Sequence, residues 1–323
     1  LVLVGSFLGL ISNLGLINAT GAVQTYVSAN QLLGVKTSTV SWIFSIYFSL
    51  AYGVGLFIGP VFDRHGPTAL LAAATVLISG GFMACANSST VWQFILSLSF
   101  CVGIGNGIAT TPLVGVVNHW FFTKRGNATG FATSGGSIGG LLIPLMLRLL
   151  YTKVGYAWAM RILSFFCLFC MGCSVLLVRS RIQKIPETTI SSNSRKAKLL
   201  SPIVGTFKSL DFKALRDPRF AFLVGGAFAA ELSLLLLVTY FATYAITQGM
   251  SESDSYLLLV LWNATGILGR WMPGYASDYL GRFNINLLML MGYTLLILVL
   301  WLPFGYSREV LFLFAAIGGA FLG

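Results

Sequence analysis

Gly59-Pro-Val-Phe-Asp63-Arg64-His-Gly66 and Gly274-Tyr-Ala-Ser-Asp278-Tyr-Leu-Gly281-Arg282 are two versions of one short phrase. Each closes one long apolar stretch and opens the next. The first glycine and the aspartate of the two versions stand 215 residues apart. A charged turn that returns at a fixed interval, each time after the second long apolar segment of its half, marks a chain built as a two-fold repeat.

The composition around these turns sets the class. The chain is 56% hydrophobic and 9% charged, where soluble domains carry roughly 25% charged residues. Too few charges remain to clothe a water-facing surface. Apolar runs long enough to cross a hydrocarbon core of about 30 Å as helices recur throughout. They predict ten spans, near 1–29, 39–61, 67–86, 90–118, 126–150, 155–178, 219–246, 254–277, 284–303 and 307–323. Backbone groups in lipid need partners within their own segment, so the expected class is all-α integral membrane.

The basic residues orient the spans. With the first residue on the cytoplasmic side, the inner connections hold Arg64, Lys124, Arg125, Arg282 and ten Lys/Arg from Arg179 to Arg219; the outer ones hold Lys36, Lys153 and Arg308. The positive-inside rule favours that orientation. A net charge of +11 is therefore a topology signal with some attraction for anionic lipid, and calls for no nucleic acid. The polar, basic stretch 179–218 is expected to be a cytoplasmic linker between an N-terminal bundle (1–178) and a C-terminal bundle (219–323). Phe207 to Phe220 is a possible surface helix within it. The 215-residue offset pairs Ile108 in the fourth span with Gly323, so a complete repeat would need about two more spans.

Cysteine chemistry is not called for. Cys85, Cys101, Cys167, Cys170 and Cys173 all fall inside spans, where they read as small hydrophobes. The Cys167, Cys170, Cys173 spacing lacks a fourth ligand, so no metal is expected. No phosphate loop, nucleotide fingerprint or nucleophile–base set is present, which leaves ATP drive and enzyme function without support, and no cofactor is expected. The glycines at 103, 105 and 107, like those at 53, 55 and 59 and at 135, 136, 139 and 140, suit close helix contact.

His119-Trp-Phe-Phe-Thr-Lys124-Arg125-Gly-Asn-Ala-Thr-Gly130-Phe-Ala-Thr-Ser-Gly135-Gly136-Ser-Ile-Gly139 resembles the signature entering the fifth helix of monocarboxylate-type transporters. Gly269-Arg270-Trp-Met-Pro273-Gly274-Tyr-Ala-Ser-Asp278-Tyr-Leu-Gly281-Arg282-Phe283-Asn284 resembles the end of the eighth helix in fungal members, and Ser41-Trp42-Ile43-Phe44-Ser45 their second-helix opening. The resemblance, running along nearly the whole chain, is to the monocarboxylate-transporter-like branch of the major facilitator superfamily. It implies a major facilitator fold of two pseudo-symmetric six-helix bundles, here with the last two spans missing, that rock about a central cavity. It also implies a gating role for the repeated loops, through Gly59, Asp63, Arg64 and Gly66 and through Gly274, Asp278, Gly281 and Arg282. Asp63 should meet basic groups of the neighbouring bundle. The chain departs from the pattern in three places: the first loop continues into Pro67 without a basic pair, Gly266 stands where an acid is expected, and the first span has no lysine.

Two ionisable residues lie deep in spans, where charge is costly and function is the default expectation. Glu231 is about twelve residues into the seventh span, roughly 18 Å along its axis. It is either the carrier of a coupled proton or a neutral carboxyl bonded between helices. Arg270 lies roughly 12 Å from the second loop and offers a planar fork to a carboxylate; by resemblance it stands where the family holds its anion. A structural ion pair is its alternative. Asn18, Gln24, Asn106, Tyr240 and Asn263 are candidates for lining the cavity, with helix–helix hydrogen bonds as the competing role. The expectation is a secondary transporter of a small organic solute, monocarboxylate-like or a related organic anion, coupled to protons and seated in the lipid bilayer of the plasma membrane. A non-transporting receptor or regulatory fragment and an exporter of a secondary metabolite are the alternatives.

Overall fold

The computed structural model describes residues 1–181, 214 and 216–322. The expected linker 179–218 lies almost wholly outside them, as does most of the expected surface helix from Phe207. All regular structure among the described residues is helical.

Helix α1 (Val2–Tyr26) runs on through a π-helical turn, Val27–Gln31. Helices α2 (Thr37–Gly53) and α3 (Gly55–His65) join at Val54 into a single rod. Then come α4 (Pro67–Cys85), α5 (Val91–Phe94) continued by π-helical Ile95–Val102, and α6 (Gly103–Trp120). Helix α7 (Arg125–Leu177) is 53 residues long and is interrupted at Gly155, whose φ of 78° and ψ of 174° are not helical. That glycine turns one long helix into the expected fifth and sixth spans, since a φ in this range carries little penalty only without a Cβ.

The second part holds α8 (Pro218–Thr247), α9 (Glu252–Leu280), α10 (Arg282–Leu296) with π-helical Ile297–Trp301 and α11 (Leu302–Phe304), and α12 (Arg308–Leu322). Seven helical segments are long and apolar enough to cross a membrane, and the two-span α7 is one of them. Helices α9 and α12, on which the expected eighth and tenth spans fall, are not among the seven.

The repeat is written in the backbone as well as in the sequence. Helix α3 ends at His65 and α9 at Leu280; the next residues, Gly66 and Gly281, have φ of 78° and 89°; the following helices open at Pro67 and Arg282. Only glycine adopts this conformation without strain, so both loops turn sharply by the same device.

Two apolar cores form. Leu10, Ile43, Ile78, Leu113, Ile143 and Leu163, one from each of the first six expected spans, are fully buried in the first. The second is aromatic: Phe241, Trp262 and Phe314 surround each other, with Trp301 edge-on to Phe314 at 4.4 Å between ring centres. Lipid removes the hydrophobic drive between helices, so close approach depends on small residues. A Cβ on Gly15 would fall 2.6 Å from Gly139 Cα, which is why α1 and the first half of α7 pack backbone to backbone. The broadest contact between the two halves of the chain is α7 against α9.

Candidate functional site

Three cavities follow the seam between the halves. At the end opposite the repeated loops, a space of about 140 Å³ is lined by Gln24, Ser41, Phe44 and Ser45 on one side and Thr239 and Tyr240 on the other. A water-sized pocket of about 20 Å³ comes next, sharing Phe48, Leu235 and Thr239 with the first and adding Asn18 and Tyr52. At the loop end, a cavity of about 520 Å³ is bounded by Asn118, Arg125, Thr133, Arg270, Ser277 and Arg282, among others. Gln24, Tyr240, Asn18 and Arg270 thus all reach the seam.

One of the two deep ionisable residues is bonded across the seam. The Tyr52 hydroxyl, carried by α2, donates to Glu231 Oε1 on α8 at 2.8 Å. Arg270 on α9 makes no ion pair with Glu231: the only one within 4 Å among the described residues is Arg308 with Asp254. Arg270 is held by its own bond: Nη1 donates to the Thr133 carbonyl of α7 at 2.9 Å. Gly136 leaves room for it, because a Cβ there would sit 2.5 Å from that same nitrogen. One arm of the guanidinium is anchored in this way, and the residue lines the loop-end cavity.

Asn263 donates to the Leu259 carbonyl at 3.0 Å and lies over Gly140 beside Asn18, whose amide donates to Gly136 O at 3.3 Å. Asn106 is placed differently. It is 0% exposed and donates to the Tyr47 hydroxyl at 2.6 Å, a core bond within the first half rather than a cavity surface.

The second loop closes the seam at its end. Asp278 Oδ1 accepts from the Gly126 amide at 2.8 Å and Oδ2 from the Asn127 amide at 2.9 Å. These are free N–H groups in the first turn of α7, so the carboxylate of one half caps a helix of the other and meets the positive end of its dipole. Trp271 Nε1 adds a bond to Asn127 Oδ1 at 2.9 Å. Glycines allow the approach: a Cβ at Gly130 would meet Arg270 O at 2.5 Å, and one at Gly274 would meet Gly130 Cα at 3.1 Å. Gly281 forms the turn and Arg282 lines the loop-end cavity.

The first loop is not so engaged. Asp63 and Arg64 are exposed, and neither takes part in an ion pair among the described residues; a Cβ on Gly59 would meet nothing within 4 Å. The meeting of Asp63 with basic groups of the other bundle, expected from the sequence, is not formed among the described residues. Its counterpart, Asp278, makes the inter-bundle contact, and it does so with backbone amides rather than cations.

Tyr52, Thr133 and the Gly126–Asn127 amides were not legible as site groups. A tyrosine in a span has many roles, and a main-chain donor leaves no side-chain signal. The signal that existed was position: Tyr52 falls within the glycine-bearing second span, and the amides follow the basic pair Lys124-Arg125.

Residues 5–323 match the family model of the Major Facilitator Superfamily. The chain belongs to this superfamily. It is 37% identical over 322 residues to the riboflavin transporter MCH5 of Saccharomyces cerevisiae, covering 98% of this chain and 61% of that protein. It is 34% identical over 318 residues to an MFS-type transporter of Gibberella moniliformis, covering 98% and 70%, and 28% identical over 290 residues to the fujikurins efflux protein of Gibberella fujikuroi, covering 90% and 59%. The chain thus spans less than two thirds of the length of the first of these relatives. Family and relatives together describe a multi-pass membrane protein of the transporter kind, similar to fungal carriers.

Proposed function

We propose that the chain is the membrane core of a proton-linked secondary transporter for an organic anion, working by alternating access between an N-terminal bundle (1–178) and a C-terminal bundle (219–323), joined by a cytoplasmic linker (179–218). One observation carries this: Glu231, bonded to Tyr52 of the water-sized pocket, and Arg270, lining the loop-end cavity, stand on different helices along the seam between the halves. The fixed guanidinium supplies a charged donor for a carboxylate. The carboxyl of Glu231 supplies a proton site. An anion on Arg270 and a proton on Glu231 each neutralise a charge on the same seam, so each favours the arrival of the other.

The Asp278 cap is the latch that holds the loop end shut and must break for that end to open. The excess of basic residues in the connections on this side supports a cytoplasmic position for it, with the plasma membrane as the host bilayer and the vacuolar or another internal membrane as the alternative. Gln24 and Tyr240 then line the outer vestibule, Asn18 and Asn263 the waist. Asp63 and Arg64 are read as the second half of the gate, free in this arrangement.

The aromatic lining of the outer vestibule, Phe44, Phe48 and Tyr240, favours a second reading of the cargo: a flat heteroaromatic solute that stacks rather than ion-pairs. The riboflavin transporter at 37% identity agrees with that choice.

An uptake and efflux screen decides. Full-length protein in sealed vesicles, with and without a pH gradient, is offered radiolabelled monocarboxylates and riboflavin. Accumulation of an acid driven by the gradient is expected. Arg270→Lys keeps the charge but loses the fork, so apparent affinity should fall about tenfold. Glu231→Gln should abolish gradient-driven accumulation and spare exchange. A Glu231→Gln protein that still accumulates solute in response to pH removes the proton role, and transport of riboflavin alone selects the stacking site.

A further inference from the structure

Resting on the proton-linked reading above, we propose that Tyr52 is a positioning residue that makes closure of the seam between the halves depend on whether Glu231 carries a proton. The bond from the Tyr52 hydroxyl to Glu231 Oε1, 2.8 Å long, joins α2 in the first half to α8 in the second. These two helices share little backbone contact. Tyr52 also lines the water-sized pocket, together with Leu235, Val238 and Thr239 of α8. With so little else between the helices, a single polar bond has leverage over their separation.

Its strength follows the charge on the acceptor. A phenol donating to an ionised carboxylate makes a charge-assisted bond, about twice as strong as one to a neutral partner. When water delivers a proton to the free oxygen of Glu231, the carboxyl becomes a weaker acceptor and the seam loosens; release of the proton restores it. The groups facing Glu231 are few. Tyr52 approaches from α2, and α9, which packs against α8, carries Arg270. Helix α1, which also touches α8, carries no titratable side chain before Tyr26. Helix α12 brings only Arg308 and Glu309 of its first turn, and Arg308 is paired with Asp254. Tyr52 is therefore the neighbour whose bond reports the charge of Glu231 across the seam.

The test needs no solute, so it is read apart from any failure of transport. A cysteine is placed at Thr239, shared by the two cavities on the side away from the loops, in full-length protein otherwise free of cysteine. Its labelling rate by a membrane-impermeant maleimide is measured from about pH 8 to about pH 3.5, a range that reaches below the ordinary glutamate value of about 4.3. The ratio of the rate in a Tyr52→Phe version to the rate in the parent cancels the ionisation of the thiol itself. A ratio of about ten at the alkaline end, falling to about three at the acid end where only the weaker neutral bond is lost, is expected. Glu231→Gln, with only a neutral acceptor, should exceed the parent about threefold at the alkaline end and match it at the acid end, which keeps the test valid if Tyr52→Phe folds poorly. A ratio of one throughout, or a raised ratio that does not change with pH, overturns the inference, as does a Glu231→Gln protein whose labelling keeps the parent's pH dependence.

Discussion

Asp63 and Asp278 end the same kind of helix, precede the same kind of left-handed glycine and stand in the same phrase of sequence, yet they live differently. Asp278 is locked onto two amides of α7, and Asp63 faces outward with no ion-pair partner among the described residues. The local device is identical. What differs is whether a helix end from the other half stands within reach. The same motif therefore joins the halves only where the surface it meets offers a partner.

The contrast can be broken or sharpened in stages. The largest effect is expected from Gly130→Val. Its side chain would need the space held by Arg270 O and Gly274 Cα, so the halves must part. Transport should fall by more than about tenfold at normal expression, with a cysteine at Thr129 in the loop-end cavity becoming freely labelled. Wild-type labelling would mean that the seam bends around the new side chain and that the glycine contact is not what closes it. Asp278→Asn comes next. Loss of a helix-capping charge costs about 1 kcal/mol, so the Thr129 site should label about fivefold faster. Trp271→Phe removes one neutral bond to Asn127 and should raise the same rate by about two- to threefold. Asp63→Asn should change it least, by less than about twofold. Should Asp63→Asn match Asp278→Asn, the exposed loop takes part in closure and the asymmetry between the two copies is only apparent.

Much of this architecture was readable before any coordinates. Long apolar runs admit few other structures, so all ten expected spans fall on helices, and the short polar gap before residue 155 marks where α7 breaks. Glu231 and Arg270 stood out because charge in a span is costly. Their places along the seam were not readable, because periodicity fixes a residue's face only when its neighbours alternate in polarity, and spans such as α8 are apolar on every side. The same limit explains Asn18 and Asn106. Both are asparagines in apolar helices, yet one lines the seam and the other is sealed against Tyr47. Nor could the sequence say which aspartate would find its helix end. That depends on a contact between residues some 150 positions apart, 126 and 278, and is carried on one side by peptide groups that every residue but proline possesses.

The use of peptide groups as the receiving side makes the latch unequal as a target for mutation. The donors at 126 and 127 persist through any substitution except to proline, and no loss of a basic side chain can unfasten them. Size at Gly126 and charge at Asp278 are the routes by which the bond can be lost. Variation should therefore accumulate on the two sides of the latch at different rates. It will be tolerated at Asn127, whose side chain accepts from Trp271 and not from the carboxylate, and constrained to an acid and a small residue at the two places where carboxylate and helix end meet.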